Sequence, residues 1–324
     1  MSESIIEAQD LVKIYRKTKV PAIDGLTLDI KRRGIFTLLG RNGAGKTTFL
    51  RIATTQLVPT SGTMRVFGID VMEDPKSIRR RIAITPQEAR PLFTLNPRDH
   101  IALSLMMRGA SRAEANTKID PVLRTLDLAD VGKVHSEELS GGLRQRILIA
   151  MTIVCDVELM FLDEPTIGLD PLGRRKVWQE LIRLKNKEGR TIVLTTHYMD
   201  EAEALSDDLA IIDRGHVLAK GNPREVKQRN IGPKTRVDVA EGFTFEELSS
   251  YGTTIRAGNL LRVFTTDEVA QEVSREALRR KVPISISPVT LDDVFVQLAG
   301  GEIEEEERKV ENQEEEPQRG VLTK

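Results

Sequence analysis

The sequence predicts an α/β fold that carries a helical insert and is followed by a small α+β domain. Three observations predict it. Short apolar strand segments alternate with helical patterns through about residue 220. A stretch from about 89 to 140 drops the strands and keeps helical spacing alone. From Thr235 to Ala299 the pattern reads strand, helix, two strands, helix, strand, helix.

Each element has its own signal. Residues 34–39 (Gly-Ile-Phe-Thr-Leu-Leu) form a buried strand that runs into a glycine-rich loop. Residues 159–162 and 191–195 are two further apolar strands. Segments 209–212 and 216–219 flank Asp213-Arg214-Gly215, which predicts a hairpin. Asn96-Pro97 sets a capping side chain before a proline at the first helical position, and Ile101, Leu105 and Arg108 follow at helical spacing. A second helix is predicted over 113–126. The insert is placed at about 89–158 within a first domain of 1–228. Gly221-Asn222-Pro223 and Gly232-Pro233 punctuate the boundary to a second domain of 229–300. Residues 301–324 hold nine Glu against four Lys and Arg, with few apolar groups, and are expected to be a disordered acidic tail.

Composition narrows the class. In 324 residues, 40% apolar and 30% charged side chains fit a globular chain with a sizeable core. The net charge of −1 gives no electrostatic reason to expect a nucleic-acid partner, although removing the tail leaves a mildly basic body. Cys155 is the single cysteine, so no internal disulfide is available. His100, His135, His197 and His216 are scattered without metal-ligand spacing. The N-terminus lacks the basic start and apolar run of a signal peptide. The longest apolar run, 147–155, is nine residues, where a membrane span needs about 20. The chain is expected not to cross a membrane, and to dock onto a partner if it works at one.

Gly40-Arg41-Asn42-Gly43-Ala44-Gly45-Lys46-Thr47-Thr48 fits the phosphate-loop pattern GxxxxGK[ST]. Its glycines let successive backbone N–H groups wrap an anion, and the helix that follows points its positive end at the phosphates. The pattern predicts ATP as ligand, with Lys46 on the β- and γ-phosphates and the Thr47 hydroxyl on Mg²⁺. A strand before the loop and an amphipathic segment (Thr48, Phe49, Leu50, Ile52) after it make a chance glycine turn a poor alternative.

The apolar strand 159–162 ends in Asp163-Glu164. Asp163 suits a strand-end carboxylate that holds Mg²⁺ through water. Glu164 points elsewhere and suits activation of the attacking water. Pro165 fixes the turn after them.

Leu139-Ser140-Gly141-Gly142-Leu143-Arg144-Gln145-Arg146 precedes a strongly apolar helix and forms a second anion site, on a chain with only one phosphate loop. Here the sequence resembles the ABC ATPase family, whose signature is LSGGQ. The resemblance implies a P-loop NTPase core of ABC type. It also implies that Ser140, Gly141 and Gly142 close on the nucleotide of a partner subunit, so the chain would work as a pair, a homodimer in the simplest case.

Other family motifs stand in order. Tyr15, in Leu11-Val12-Lys13-Ile14-Tyr15, takes the place of the adenine-stacking aromatic. Gln87, in Thr85-Pro86-Gln87-Glu88, matches the Q-loop, implying a catalytic and Mg²⁺-facing role. Gly168-Leu169-Asp170 matches the D-loop, and His197, in Thr195-Thr196-His197, the switch histidine that meets the γ-phosphate. Any one alone would be unremarkable, since a lone Tyr, Gln or His is usually structural. Two positions depart from the pattern: Leu143 replaces the fifth signature residue, and Ile167 replaces a small polar residue before the D-loop. Lys46, Asp163, Glu164, Gln87 and His197 are all present, so turnover is expected.

The segment from His197 to Glu203, Ile212-Asp213-Arg214-Gly215, and Pro288-Val289-Thr290-Leu291-Asp292-Asp293-Val294-Phe295 resemble exporter ATPases of the daunorubicin-resistance type. The last segment also reads as an ordinary helix start, with Thr290 as cap and two acids at the positive end. The resemblance implies a separate transmembrane permease as partner and a cytoplasmic place at the inner face of the cell membrane. Residues from Gln87 through the start of the insert, 90–105, are expected to face that permease. The rival is a soluble ABC ATPase of translation or DNA repair. Those chains usually carry two ATPase modules or a long coiled coil; this one has a single phosphate loop and no sustained heptads.

Overall fold

The computed structural model describes residues 4–16, 18–232, 235–240 and 242–299; the expected acidic tail at 301–324 lies outside them. The chain divides into two compact units, Met1–Pro223 and Arg224 onward. The division falls at 223 rather than 228, because the helix starting there belongs by its contacts to the second unit.

The first unit opens with β1 (Ser4–Lys13), β2 (Ile23–Lys31) and β3 (Gly34–Leu39), followed by α1 (Lys46–Ala53). Then come β4 (Ser61–Val66), β5 (Ile69–Asp70), α2 (Pro75–Arg81) and β6 (Ile82–Thr85). The insert holds α3 (Pro97–Met107), α4 (Arg112–Thr125) and α5 (Gly141–Ile153). Strand–helix alternation resumes with β7 (Leu159–Asp163), α6 (Pro171–Glu188), β8 (Thr191–Thr196), α7 (Met199–Leu205), β9 (Asp208–Asp213) and β10 (His216–Gly221).

Two sheets result. β2-β1-β4-β5 is antiparallel, and β10-β9-β3-β8-β7-β6 is parallel except for the β9–β10 hairpin. The parallel strands are buried along almost their whole length because both faces are covered. Phe36, Leu38, Phe161 and Val193 face one core with Phe49, Leu50 and Ile52 of α1 and Ile6 and Leu11 of β1. The alternate residues Ile35, Met160, Leu162, Ile192 and Leu194 face another, filled by Val177, Leu181 and Leu184 of α6 and Ile147 and Ala150 of α5.

The local signals have structural counterparts. Asn96 caps α3 by accepting from the Asp99 N–H at 3.0 Å, with Pro97 behind it. Ser111 and Glu114 form a reciprocal capping box at the start of α4. Arg214 and Gly215, at φ 46° and 84°, turn the hairpin with the two left-handed residues a tight two-residue loop needs.

The second unit contains α8 (Pro223–Asn230), β11 (Thr235–Val239), α9 (Phe245–Ser249), β12 (Thr253–Ala257), β13 (Leu260–Thr265), α10 (Asp267–Arg280), β14 (Ile284–Pro288) and α11 (291–299). The antiparallel sheet runs β12-β13-β11-β14. Val237, Val239 and Val263 pack against Ala270, Val273 and Ala277 of α10. The alternate side chains Arg236, Asp238 and Arg262 form an ion cage with Asp293, in which Arg262 bonds Asp238 and Asp293 at 2.7 Å each. Asp293 also accepts from the Thr290 N–H and hydroxyl, both at 2.9 Å. The Pro288–Phe295 segment is therefore a helix start anchored by two arginines.

Candidate nucleotide-binding and catalytic site

The order β3-β8-β7 places the C-terminal ends of three parallel strands side by side. Such strand ends are where open α/β sheets bind ligands. β3 runs into the loop 40–45, β7 ends in Asp163, and β8 runs into His197. Residues more than a hundred positions apart thus meet on one rim.

The loop is built for close approach. A Cβ on Gly40 would lie 2.2 Å from the Ile212 carbonyl, and one on Gly45 would lie 2.5 Å from the Ala22 carbonyl. Gly43 and Gly45 hold φ of 85° and 105°, open to glycine at no steric expense. The hairpin turn supports the loop from behind, through Gly215 N–H donating to the Ala44 carbonyl at 3.0 Å. A cavity of about 270 Å³ opens in front, lined by Ala22, residues 42–48, Gln87 and Glu164.

Lys46 is buried and donates to the Gly40 and Arg41 carbonyls at 2.7 and 3.0 Å. Its Nζ also lies 3.4 Å from Glu164 Oε1. Burial pulls the lysine pKa below its usual value, and the Glu164 and Asp163 charges oppose that pull. Thr47 Oγ1 donates to Asp163 Oδ1 at 3.2 Å and lies 3.4 Å from Gln87 Oε1. Burial raises the Asp163 pKa, while the Thr195 and Thr47 hydroxyls hold it down. Tyr15 reaches the same place, its hydroxyl 3.2 Å from Thr48 Oγ1.

Glu164 sits at φ 50°, a left-handed conformation that a side chain adopts under strain. Its N–H donates to Thr195 Oγ1 at 2.9 Å, and the Thr195 hydroxyl donates to Asp163 Oδ1 at 2.6 Å. Its Oε2 lies 2.8 Å from His197 Nδ1. The sequence reading missed Thr195, whose only signal was a hydroxyl at the end of an apolar strand.

The remaining site residues lie elsewhere. Ser140 is exposed and caps α5, its Oγ accepting from the Leu143 N–H at 3.3 Å. Ser140, Gly141 and Gly142 are not among the residues lining this cavity. Asp170 caps α6 by accepting from the Gly173 N–H at 3.1 Å and pairs with Arg146 at 3.1 Å, so its carboxylate is engaged within its own chain. Gln145 ties the signature helix to the same turn through the Pro165 carbonyl, at 3.0 Å.

The ABC transporter family model matches residues 23–167, and Tyr15, Asp170 and His197 fall beyond that match. The daunorubicin/doxorubicin resistance ATP-binding protein DrrA of Streptomyces peucetius is 36% identical over 308 residues, covering 91% of this chain and 92% of the relative. The chain belongs to the ATP-binding subunits of ABC transporters. Nod factor export ATP-binding protein I of Paraburkholderia xenovorans is 34% identical over 94% of this ABC subunit and all of its own length. A solved ATP-binding subunit of an ABC transporter superposes with a TM-score of 0.63 at 27% identity, over 70% of this chain and 93% of that one. The ABC cassette fold and ATP hydrolysis follow from that membership. Among the described residues no helix is long and apolar enough to cross a membrane.

Proposed function

We propose that this ABC subunit is the motor of an exporter, in which two copies clamp ATP–Mg²⁺ between them and drive a separate transmembrane permease. One observation carries the reading. Lys46, Glu164 and His197 are linked in one chain of contacts beside the cavity, while the Ser140-capped tip of α5 is exposed and outside it. A helix tip built for an anion and left free suits a second copy's nucleotide.

The roles follow from position. The loop N–H groups and Lys46 would hold the phosphates, and Tyr15, whose hydroxyl meets Thr48 beside the loop, would stack on the base. The oxygen set Thr47 Oγ1, Asp163 Oδ1 and Gln87 Oε1 suits Mg²⁺, which would neutralise phosphate charge. Glu164 takes the proton of the attacking water, and His197 steadies Glu164 and meets the γ-phosphate.

Export, at the inner face of the cell membrane, is favoured over a soluble role by the names of the two full-length relatives, one for drug resistance and one for Nod factor export. A cleft of about 300 Å³ next to Gln87, lined by Pro86, Ala89, Arg90, Ser104, Arg108 and Met151, would suit engagement by the permease. Exposed Leu92 and Phe93 lie on the segment that leads from it into the insert.

Glu164→Gln is the test. With ATP and Mg²⁺ it is expected to elute as a dimer on size exclusion and to hydrolyse at a small fraction of the wild-type rate. A variant that stays monomeric and turns over normally would refute the reading.

A further inference from the structure

A second set of contacts lies behind the catalytic pair, and the roles above leave it without a use. Glu201 on α7 is fully buried, at 0% exposure. Its Oε1 accepts from Thr166 Oγ1 and from Trp178 Nε1, both at 2.9 Å. Its Oε2 makes no hydrogen bond of good geometry among the described residues. Burial pushes the carboxyl pKa up, although the Thr196 hydroxyl, one residue before His197, acts on the carboxyl and lowers it. A carboxyl in such a place costs stability that an apolar side chain of the same size would not.

Its two partners belong to different parts of the site. Thr166 stands two residues after Glu164, in a turn closed by Ile167 N–H to the Glu164 carbonyl at 3.3 Å and Leu169 N–H to the Thr166 carbonyl at 3.1 Å. Trp178 stands on α6, the helix that Asp170 caps. One turn earlier on α6, the Arg174 guanidinium lies 5.3 Å from the Trp178 ring and 4.5 Å from the Tyr198 ring. Arg174 also holds Asp200 at 3.1 Å. The Tyr198 ring is 4.1 Å from that of His197. The contacts therefore close a circuit: from Glu164 through His197 and Tyr198 to α6, and back through Glu201 and Thr166.

We infer that Glu201 is a positioning residue. With Arg174 and Trp178 it locks the loop bearing His197 to the loop 168–170, so that a phosphate felt at His197 moves both together. The inference rests on the proposal that His197 meets the γ-phosphate. It extends that proposal by naming the device that carries the signal to the turn the paired-subunit reading sets against the second copy. The cation–π contacts of Arg174 add to this hold, and a buried carboxyl accepting two hydrogen bonds is hard to displace.

Trp178 is the sole tryptophan of the chain, so its emission reads the lock directly. The experiment titrates the full chain with Mg²⁺ and the non-hydrolysable analogue adenylyl imidodiphosphate. Trp178 emission and calorimetric binding are followed in parallel. The emission is expected to change with the calorimetric midpoint. Glu201→Ala and Thr166→Val are expected to bind within about threefold of wild type, to lose most of the emission change, and to lose about tenfold or more in kcat with KM for ATP little altered. Glu201→Gln keeps the accepting oxygen and is expected to restore both. If Glu201→Ala fails to fold, Thr166→Val carries the same test. Binding with flat Trp178 emission in the wild type would overturn the inference, and so would a wild-type response in Glu201→Ala or Thr166→Val. Absence of calorimetric binding would instead overturn the phosphate-loop assignment, and this inference with it.

Discussion

His197 Nδ1 and Glu164 Oε2 lie 2.8 Å apart, and Lys46 Nζ approaches the other oxygen of the same carboxylate at 3.4 Å. Glu164 is thus held from two sides by groups that the sequence places 33 positions after it and 118 before it. Its left-handed backbone adds a strain that these contacts offset.

The imidazole's share of this hold is measurable. His197→Ala is expected to lower kcat by about 10²-fold or more, with nucleotide affinity changed only a few-fold. Phosphate release at saturating ATP, set against calorimetric affinity, checks it. Equal losses in both would mean that His197 serves binding instead.

Lys46→Ala is expected to abolish nucleotide binding. It also strands Glu164, 5% exposed, without its cation. Breaking a buried pair in this way costs about 3 kcal/mol or more, so the nucleotide-free variant should melt well below wild type. Lys46→Ala/Glu164→Gln should recover much of that stability without recovering binding. Denaturation in the absence of nucleotide separates the two effects.

Asp163 gives a pH signature. Its folded-state pKa is raised by burial, so the folded state holds a proton more tightly than the unfolded chain. Stability therefore falls as pH rises from the ordinary aspartate value through the raised one. In the absence of Mg²⁺, Asp163→Asn should melt a few degrees above wild type at neutral pH, and the gap should close as pH drops toward 4. Melting curves across that range, with and without Mg²⁺, test it. An unchanged gap at all pH values would exclude a charge origin.

In the second unit, Asp293 is 1% exposed and serves both the cap at Thr290 and the arginine cage. Asp293→Ala leaves Arg262 short of one carboxylate and the start of α11 uncapped. A loss of about 3 kcal/mol is expected. Hydrogen exchange should show it as faster exchange in β11, β13 and α11.

Much of this was legible in the sequence, and the reasons are local. Asn96-Pro97 announces a helix start because cap and proline act within one turn. Asp213-Arg214-Gly215 announces a hairpin because the turn needs left-handed residues. The phosphate loop is legible because close backbone contact at Gly40 and Gly45 excludes other residue types. What escaped depends on distant partners. Nothing near Glu164 in the sequence marks its left-handed backbone, which is fixed by Thr195 from the neighbouring strand. Lys46 was read as a phosphate ligand, and its contacts with its own loop carbonyls appear only in three dimensions. The D-loop match marks Asp170, but its cap on α6 and its pair with Arg146 of α5 appear only once the two helices meet. Leu143, which looked like a departure from the signature, uses its backbone N–H on Ser140 and keeps the cap whatever its side chain.

The position of Lys46 couples the loop to the acidic end of β7. Its ammonium joins two loop carbonyls to the Glu164 carboxylate, so any group that draws Nζ toward itself must loosen all three contacts at once.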